Sequence, residues 1–146
     1  MNSGNAQIYY ESAGEGTPFV MIHAGVADSR QWNNELTHFA QQFRAIRYDL
    51  RGYGHSEPAE GDYTNLQDLS AVLGTLQIEE PAILMGCSMG GGLALEFALA
   101  HPAQVKALIL VGSGPTGLAL DVPEPALFGG SRSGLQQGRP RVGGGN

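Results

Sequence analysis

The chain has 146 residues, 42% of them hydrophobic, which makes one globular domain the natural expectation and excludes wholesale disorder. Its formal net charge is −6 at pH 7, and its eight Lys and Arg form no basic stripe, so no nucleic-acid partner is expected. The single cysteine, Cys87, excludes an internal disulfide and suits a reducing, cytoplasmic setting; no apolar run reaches the ~18 residues of a membrane span, and no signal peptide is visible.

Residues 6–13, "AQIYYESA", read as a strand of aromatic and β-branched residues that ends in the turn "GEGTP". "PFVMIH" (18–23) is apolar and too short for a helix, so it reads as a buried strand, and this first pair is expected antiparallel at one sheet edge. "DSRQWNNELTHFAQQF" (28–43) starts on an Asp or Ser cap and carries Trp32, Leu36 and Phe39 at helical spacing. "RAIRYDL" (44–50) is the next strand, and "RGYGHSEPAEGDY" is turn and loop material. Thr64 and Gln67 form a capping-box pattern, and the helix behind them places Leu66, Leu69, Val72, Leu73 and Leu76 on one face. "AILMG" (82–86) is a strand, "GLALEFALAH" (92–101) a largely buried helix stopped by Pro102, and "VKALILVGS" (105–113) one more strand.

Short apolar strands alternating with helices predict an α/β fold: a mostly parallel sheet with helices on both faces. The alternation stops after residue 113. Residues 129–146 hold seven glycines, with Leu135 and Val142 their only large apolar residues. Such a segment cannot offset its ordering entropy by burial, so it is expected to be disordered. The expected division is a core over 1–116 and an irregular, largely disordered tail over 117–146.

Gly86-Cys87-Ser88-Met89-Gly90 matches G-x-S-x-G between an expected strand and an expected helix. A serine on that sharp turn projects its hydroxyl from the C-terminal edge of the sheet. Glycines on either side let strand and helix approach closely, and the helix N-terminus supplies N–H groups where an oxyanion would form. Read without function, the same residues are a Gly/Ser-rich turn.

Two further motifs accompany the elbow: "HAGVADSRQW" from His23 and "DLRGYGHS" from Asp49 to Ser56. The ordered set, with "HPAQVKALILVGS" behind it, resembles the α/β-hydrolase family over roughly residues 6–116. The ending "SMGGGLALEFALAHP" is most similar to the branch of carboxylesterases, enol-lactonases and cofactor-free haloperoxidases. The resemblance implies Ser88 as nucleophile and the backbone N–H groups of Met89 and Gly25 as the oxyanion hole. Ala24 stands where the family usually has glycine. Asp49, Arg51, Gly52, Gly54 and Ser56 match a structural turn, and His23 an orienting residue for the oxyanion loop. The reaction implied is hydrolysis of a small ester or lactone through a Ser88 acyl-enzyme, with no cofactor and no metal. The same site also suits perhydrolysis, and a non-catalytic fragment or binding remnant is the third reading.

In this fold the acid and the histidine follow the serine along the chain. The one later histidine, His101, ends the nucleophile's own helix, thirteen residues or roughly 20 Å on. His55 precedes the serine in the structural loop. His38 reads as a solvated or partly packed helix residue. The downstream acids, Asp121 and Glu124, lie in a Pro-rich irregular stretch. The chain therefore reads as an incomplete α/β-hydrolase fold, truncated before the triad Asp and His. Cys87, Trp32 and Met85 read as packing residues, and Met89 as a residue lining the site.

Overall fold

The computed structural model describes residues 1–3, 6–58 and 60–114, so the expected tail over 117–146 lies outside the described residues. β1 (Asn2–Ser3) and β2 (Ala6–Gln7) form a short antiparallel ribbon. β3 (Tyr10–Ala13) and β4 (Pro18–Ile22) follow, then a 3-10 turn at Ser29–Trp32 that leads into α1 (Asn33–Phe39). β5 (Arg44–Tyr48), α2 (Asn65–Thr75), β6 (Ala82–Cys87), α3 (Met89–Ala100) and β7 (Val105–Val111) complete the described elements.

The main sheet has the order β3-β5-β4-β6-β7. β5, β4, β6 and β7 are mutually parallel, and β3 runs antiparallel along β5 at one edge. Side chains alternate across the sheet with the strand period of two. Val20, Ile22, Ile46, Tyr48 and Leu84 face α2 and α3, where they pack with Leu69, Val72, Leu73, Leu93 and Phe97. Phe19, Met21, Ala45 and Met85 face the other way, against Trp32 and the α1 residues Leu36 and Phe39. Helices therefore cover both faces, as the uninterrupted apolar strands require.

Several boundaries differ from the sequence reading. The strand expected over 6–13 is broken at Ile8 and Tyr9, because the chain changes partners there. The Ile8 N–H donates to the Met1 carbonyl at 2.7 Å and the Tyr9 N–H to Ser56 Oγ at 2.9 Å. The antiparallel edge pair is β3 with β5, so β3 and β4 are not neighbours. The helix expected from Asp28 divides into a 3-10 turn capped by Asp28, whose carboxylate accepts the Arg30 N–H, and the seven-residue α1. α2 is capped by the Thr64 half of the expected box, Thr64 Oγ1 accepting the Gln67 N–H at 3.1 Å. It closes on Gln77 at φ 54, where the Ile78 N–H reaches the Leu73 carbonyl. α3 starts at Met89 rather than residue 92, and it is buried on one side only: Leu99 is 77% exposed.

Candidate active site

β4 is the point where the parallel strand order reverses: the chain goes first to β5 on one side and then to β6 on the other. In open α/β sheets the crevice outside the strand C-termini at such a reversal is where ligands bind. Here it lies between the ends of β4 and β6, and each strand delivers one expected site segment. β4 leads into His23, Ala24 and Gly25; β6 ends on Cys87 and leads into Ser88 and Met89.

Ser88 is exposed and adopts φ 50, ψ −111, so it takes a backbone conformation that strains a residue with a Cβ. The turn is held from both sides. The Ser88 N–H donates to the Val111 carbonyl at the end of β7, and the Ser88 carbonyl accepts the Gly92 N–H and the Ser113 hydroxyl. Two glycines make the turn possible. A Cβ on Gly86 would stand 2.2 Å from the Gly90 carbonyl oxygen, and one on Gly90 would stand 2.4 Å from that of Ile22. Gly90 therefore brings the first turn of α3 directly onto the end of β4.

That approach places Met89 against Gly25, where a Cβ on Gly25 would lie 3.3 Å from Met89 Sδ. Neither the Gly25 nor the Met89 amide N–H finds an acceptor among the described residues. Ala24 is buried, and Gln77 and Ser88 are the non-glycine residues with positive φ among the described residues. The position before Gly25 thus imposes no glycine-only geometry.

His23, fully buried, ties the loop after β4 to the one after β5. Its Nε2 accepts the Leu50 N–H at 2.9 Å, which leaves Nδ1 to carry the proton and donate to the Ala24 carbonyl at 2.8 Å. Asp49, also buried, accepts the Ser29 N–H on Oδ1 and the His55 N–H on Oδ2, while Ser56 Oγ donates to the Asp49 carbonyl. Gly54 must be glycine, because a Cβ there would meet Asp49 Oδ2 at 2.2 Å. Arg51 makes a buried, two-pronged pair with Asp68 of α2 at 3.0 and 2.7 Å. This motif is scaffolding for the crevice.

All four histidines of the chain lie among the described residues, and none is hydrogen-bonded to Ser88. His23 has both ring nitrogens engaged. His38 is exposed on α1, edge-on to Phe39. The exposed His55 ring leans on Tyr9, with Nδ1 3.8 Å from Asp49 Oδ2. His101 caps the far end of α3 against Phe97. Asp121 and Glu124 lie outside the described residues. Cys87, Trp32 and Met85 pack in the α1-side core, as their sequence context suggests.

Ser88 and Met89 open into a cleft of about 430 Å³ between the start of α2 and the outer side of α3. Thr64, Asn65 and Leu66 form one wall, and Leu93 and Glu96 the other. A second concavity of about 550 Å³ lies beyond the Gly25–Met89 contact and includes Asp28, Arg30 and Tyr53. There the Arg30 guanidinium, bonded to Asp28, pulls that carboxyl down to about 2. Burial in the core pushes the Tyr48 phenol well above its usual range. Among the described residues no cluster of His, Cys, Asp and Glu could hold a metal ion, and no helix is long and apolar enough to cross a membrane.

A family model described as alpha/beta hydrolase fold matches residues 17–136. The chain is 36% identical over 124 residues to 2-hydroxymuconate semialdehyde hydrolase of a Pseudomonas species, a match that covers 80% of this chain and 44% of the relative. It is 33% identical over 118 residues to the pimeloyl-acyl-carrier-protein methyl ester esterase of Nitrosospira multiformis, covering 77% and 44%. A solved N-acyl homoserine lactone degrading enzyme superposes with a TM-score of 0.73 at 33% identity, over 77% of this chain and 44% of that one. The chain thus spans less than half the length of these relatives.

Proposed function

The chain belongs to the α/β-hydrolase fold family, and from that premise we propose that it acts as a hydrolase of small esters or lactones through Ser88, with residues 1–116 as the N-terminal part of the α/β-hydrolase core. The observation that carries the reading is the strained Ser88 turn at φ 50, set at the reversal point of the sheet with its hydroxyl side open to the cleft. In the proposed step, Ser88 Oγ attacks the carbonyl carbon and the carbonyl oxygen takes up the charge. The unengaged N–H groups of Met89 and Gly25 receive that oxyanion, where the N-terminal end of α3 adds positive potential. The Ser88 proton passes to solvent water, the leaving oxygen departs as the alcohol by taking a proton from water, and a second water then attacks the acyl carbon and returns Ser88 to its hydroxyl form. The esterase and lactone-degrading relatives support this substrate class. A single cysteine suits a reducing compartment, and the cytoplasm is the proposed location.

Serine attack needs a base, and none of the four histidines serves Ser88. Sites stripped of a triad member keep part of their rate from the oxyanion hole and binding. The proposal therefore expects slow turnover. Hydrolysis of p-nitrophenyl acetate should exceed that of Ser88→Ala measurably, but by no more than about tenfold, since none of the four histidines supplies the ~10²–10⁴-fold share of a general base. A ratio of a hundredfold or more would place a base within reach of Ser88. Equal rates across a series of esters would remove Ser88 from the reaction.

A further inference from the structure

We propose that Glu96 sets the charge preference of the Ser88 cleft, so that the site favours esters carrying a cationic group over uncharged isosteres and rejects anionic ones. The inference rests on the reading of Ser88 as the reaction centre and extends it to the substrate's charge. Ser88, Gly92 and Glu96 follow one another at helical spacing along one side of α3, and all three line the cleft. Gly92 has no side chain to stand between the other two. Glu96 lies two turns beyond Ser88, roughly 12 Å along the axis, and helical Cα–Cβ bonds tilt toward the N-terminus, so its side chain starts out leaning toward the Ser88 end of the helix. Among the described residues lining the cleft Glu96 is the one ionisable side chain, and the others offer neutral hydroxyl, amide and aliphatic groups. Glu96 makes no hydrogen bond or ion pair with another described residue, so its charge is not cancelled locally. One unit charge acting over roughly 10 Å at a water-filled cleft changes affinity about two- to fourfold.

The test measures binding to the full chain carrying Ser88→Ala, which removes hydrolysis. Acetylcholine and its uncharged isostere 3,3-dimethylbutyl acetate are titrated while the Met89 methyl resonance is followed by NMR. The cation should bind about two- to fourfold more tightly, and Glu96→Gln should level the two. Salt at about 1 M, where the screening length falls to about 3 Å, should do the same. Glu79→Gln, an exposed acid ahead of β6 at the other end of that strand from Ser88, should leave the preference unchanged. Equal binding in the presence of Glu96, a preference that survives Glu96→Gln, a preference lost equally in Glu79→Gln, or no saturable shift of Met89 would each overturn the proposal. Because Ser88 is absent, these outcomes are independent of whether Ser88 is a nucleophile.

Discussion

Replacing Gly90 with alanine tests how the elbow is assembled. The new methyl carbon would lie 2.4 Å from the Ile22 carbonyl oxygen and 2.6 Å from that of His23. The first belongs to the last residue of β4, which β5 and β6 clamp from either side, and the second to the residue that follows it. Neither can swing away as a side chain could. The first turn of α3 must retreat by roughly half an ångström or more, and close-packed interiors do not absorb that without loss. Overpacking costs about 1–3 kcal/mol, and a clash with main chain belongs at the upper end, so about 3 kcal/mol is expected. The same retreat draws Met89 away from Gly25. Gly74→Ala is the comparator: a Cβ there meets no atom within 4 Å, and alanine in place of glycine near the end of α2 should add about 0.5 kcal/mol. Urea denaturation of the two variants and the parent, with m-values checked for constancy, measures both. If Gly90→Ala unfolds at the parent's midpoint, the close approach of α3 to β4 is not what holds the turn.

Three further outcomes follow from the same contacts. Ser88→Gly should raise stability by about 1–2 kcal/mol, because glycine relieves the strain of φ 50, whereas Ser88→Ala should not; urea midpoints decide, and equal midpoints would deny the strain. Arg51→Met should cost about 3–5 kcal/mol by removing the guanidinium paired with the buried Asp68 carboxylate, and adding Asp68→Leu should recover much of it; a harmless single variant would contradict the buried pair. Asp28 has a folded pKa of about 2 against an ordinary 3.8, so its contribution to stability is full above about pH 4 and is lost as pH falls toward 2. Thermal unfolding of Asp28→Asn against pH should show a shallower acid limb in that window, and an unchanged limb would reject the Arg30 interaction as its source.

Much of the architecture was legible because strand and helix periods are written in residue type. The runs expected as strands at 18–23, 44–50 and 82–86 are strands, buried on both faces, but the first pairs with β5 and β6 and not with the 6–13 strand expected beside it. Thr64 announced α2 through a local hydrogen bond. The start of α3 was not legible, because "GGG" at 90–92 reads as a loop when only propensity is weighed. β4 leaves Gly90 no room for a Cβ, so glycine is required at the start of this helix for a tertiary reason. The break at Ile8 and Tyr9 depends on Met1 and Ser56, and pairing across nearly fifty residues leaves no mark in a local pattern. At the site, Ser88, Met89 and Gly25 were singled out by motif, and the fold brings Met89 against Gly25. Thr64, Asn65 and Glu96 were missed as cleft residues. For Glu96 a signal existed, since eight residues beyond a helix-start serine is the same helix face. For Thr64 and Asn65 only the packing of α2 on α3 reveals it.

The most direct measurement of the central claim is the site of acetylation after the chain is mixed with excess p-nitrophenyl acetate and quenched with acid. Deacylation needs a base as acylation does, so an acyl-enzyme formed at Ser88 should outlast the substrate and accumulate. Peptide mass spectrometry should find the acetyl group on Ser88 in preference to the chain's other serines, and Ser88→Ala should lose that adduct while keeping any slow modification of Lys106. Acetyl groups spread over lysine, the N-terminus and tyrosine, with Ser88 unmodified, would contradict the account.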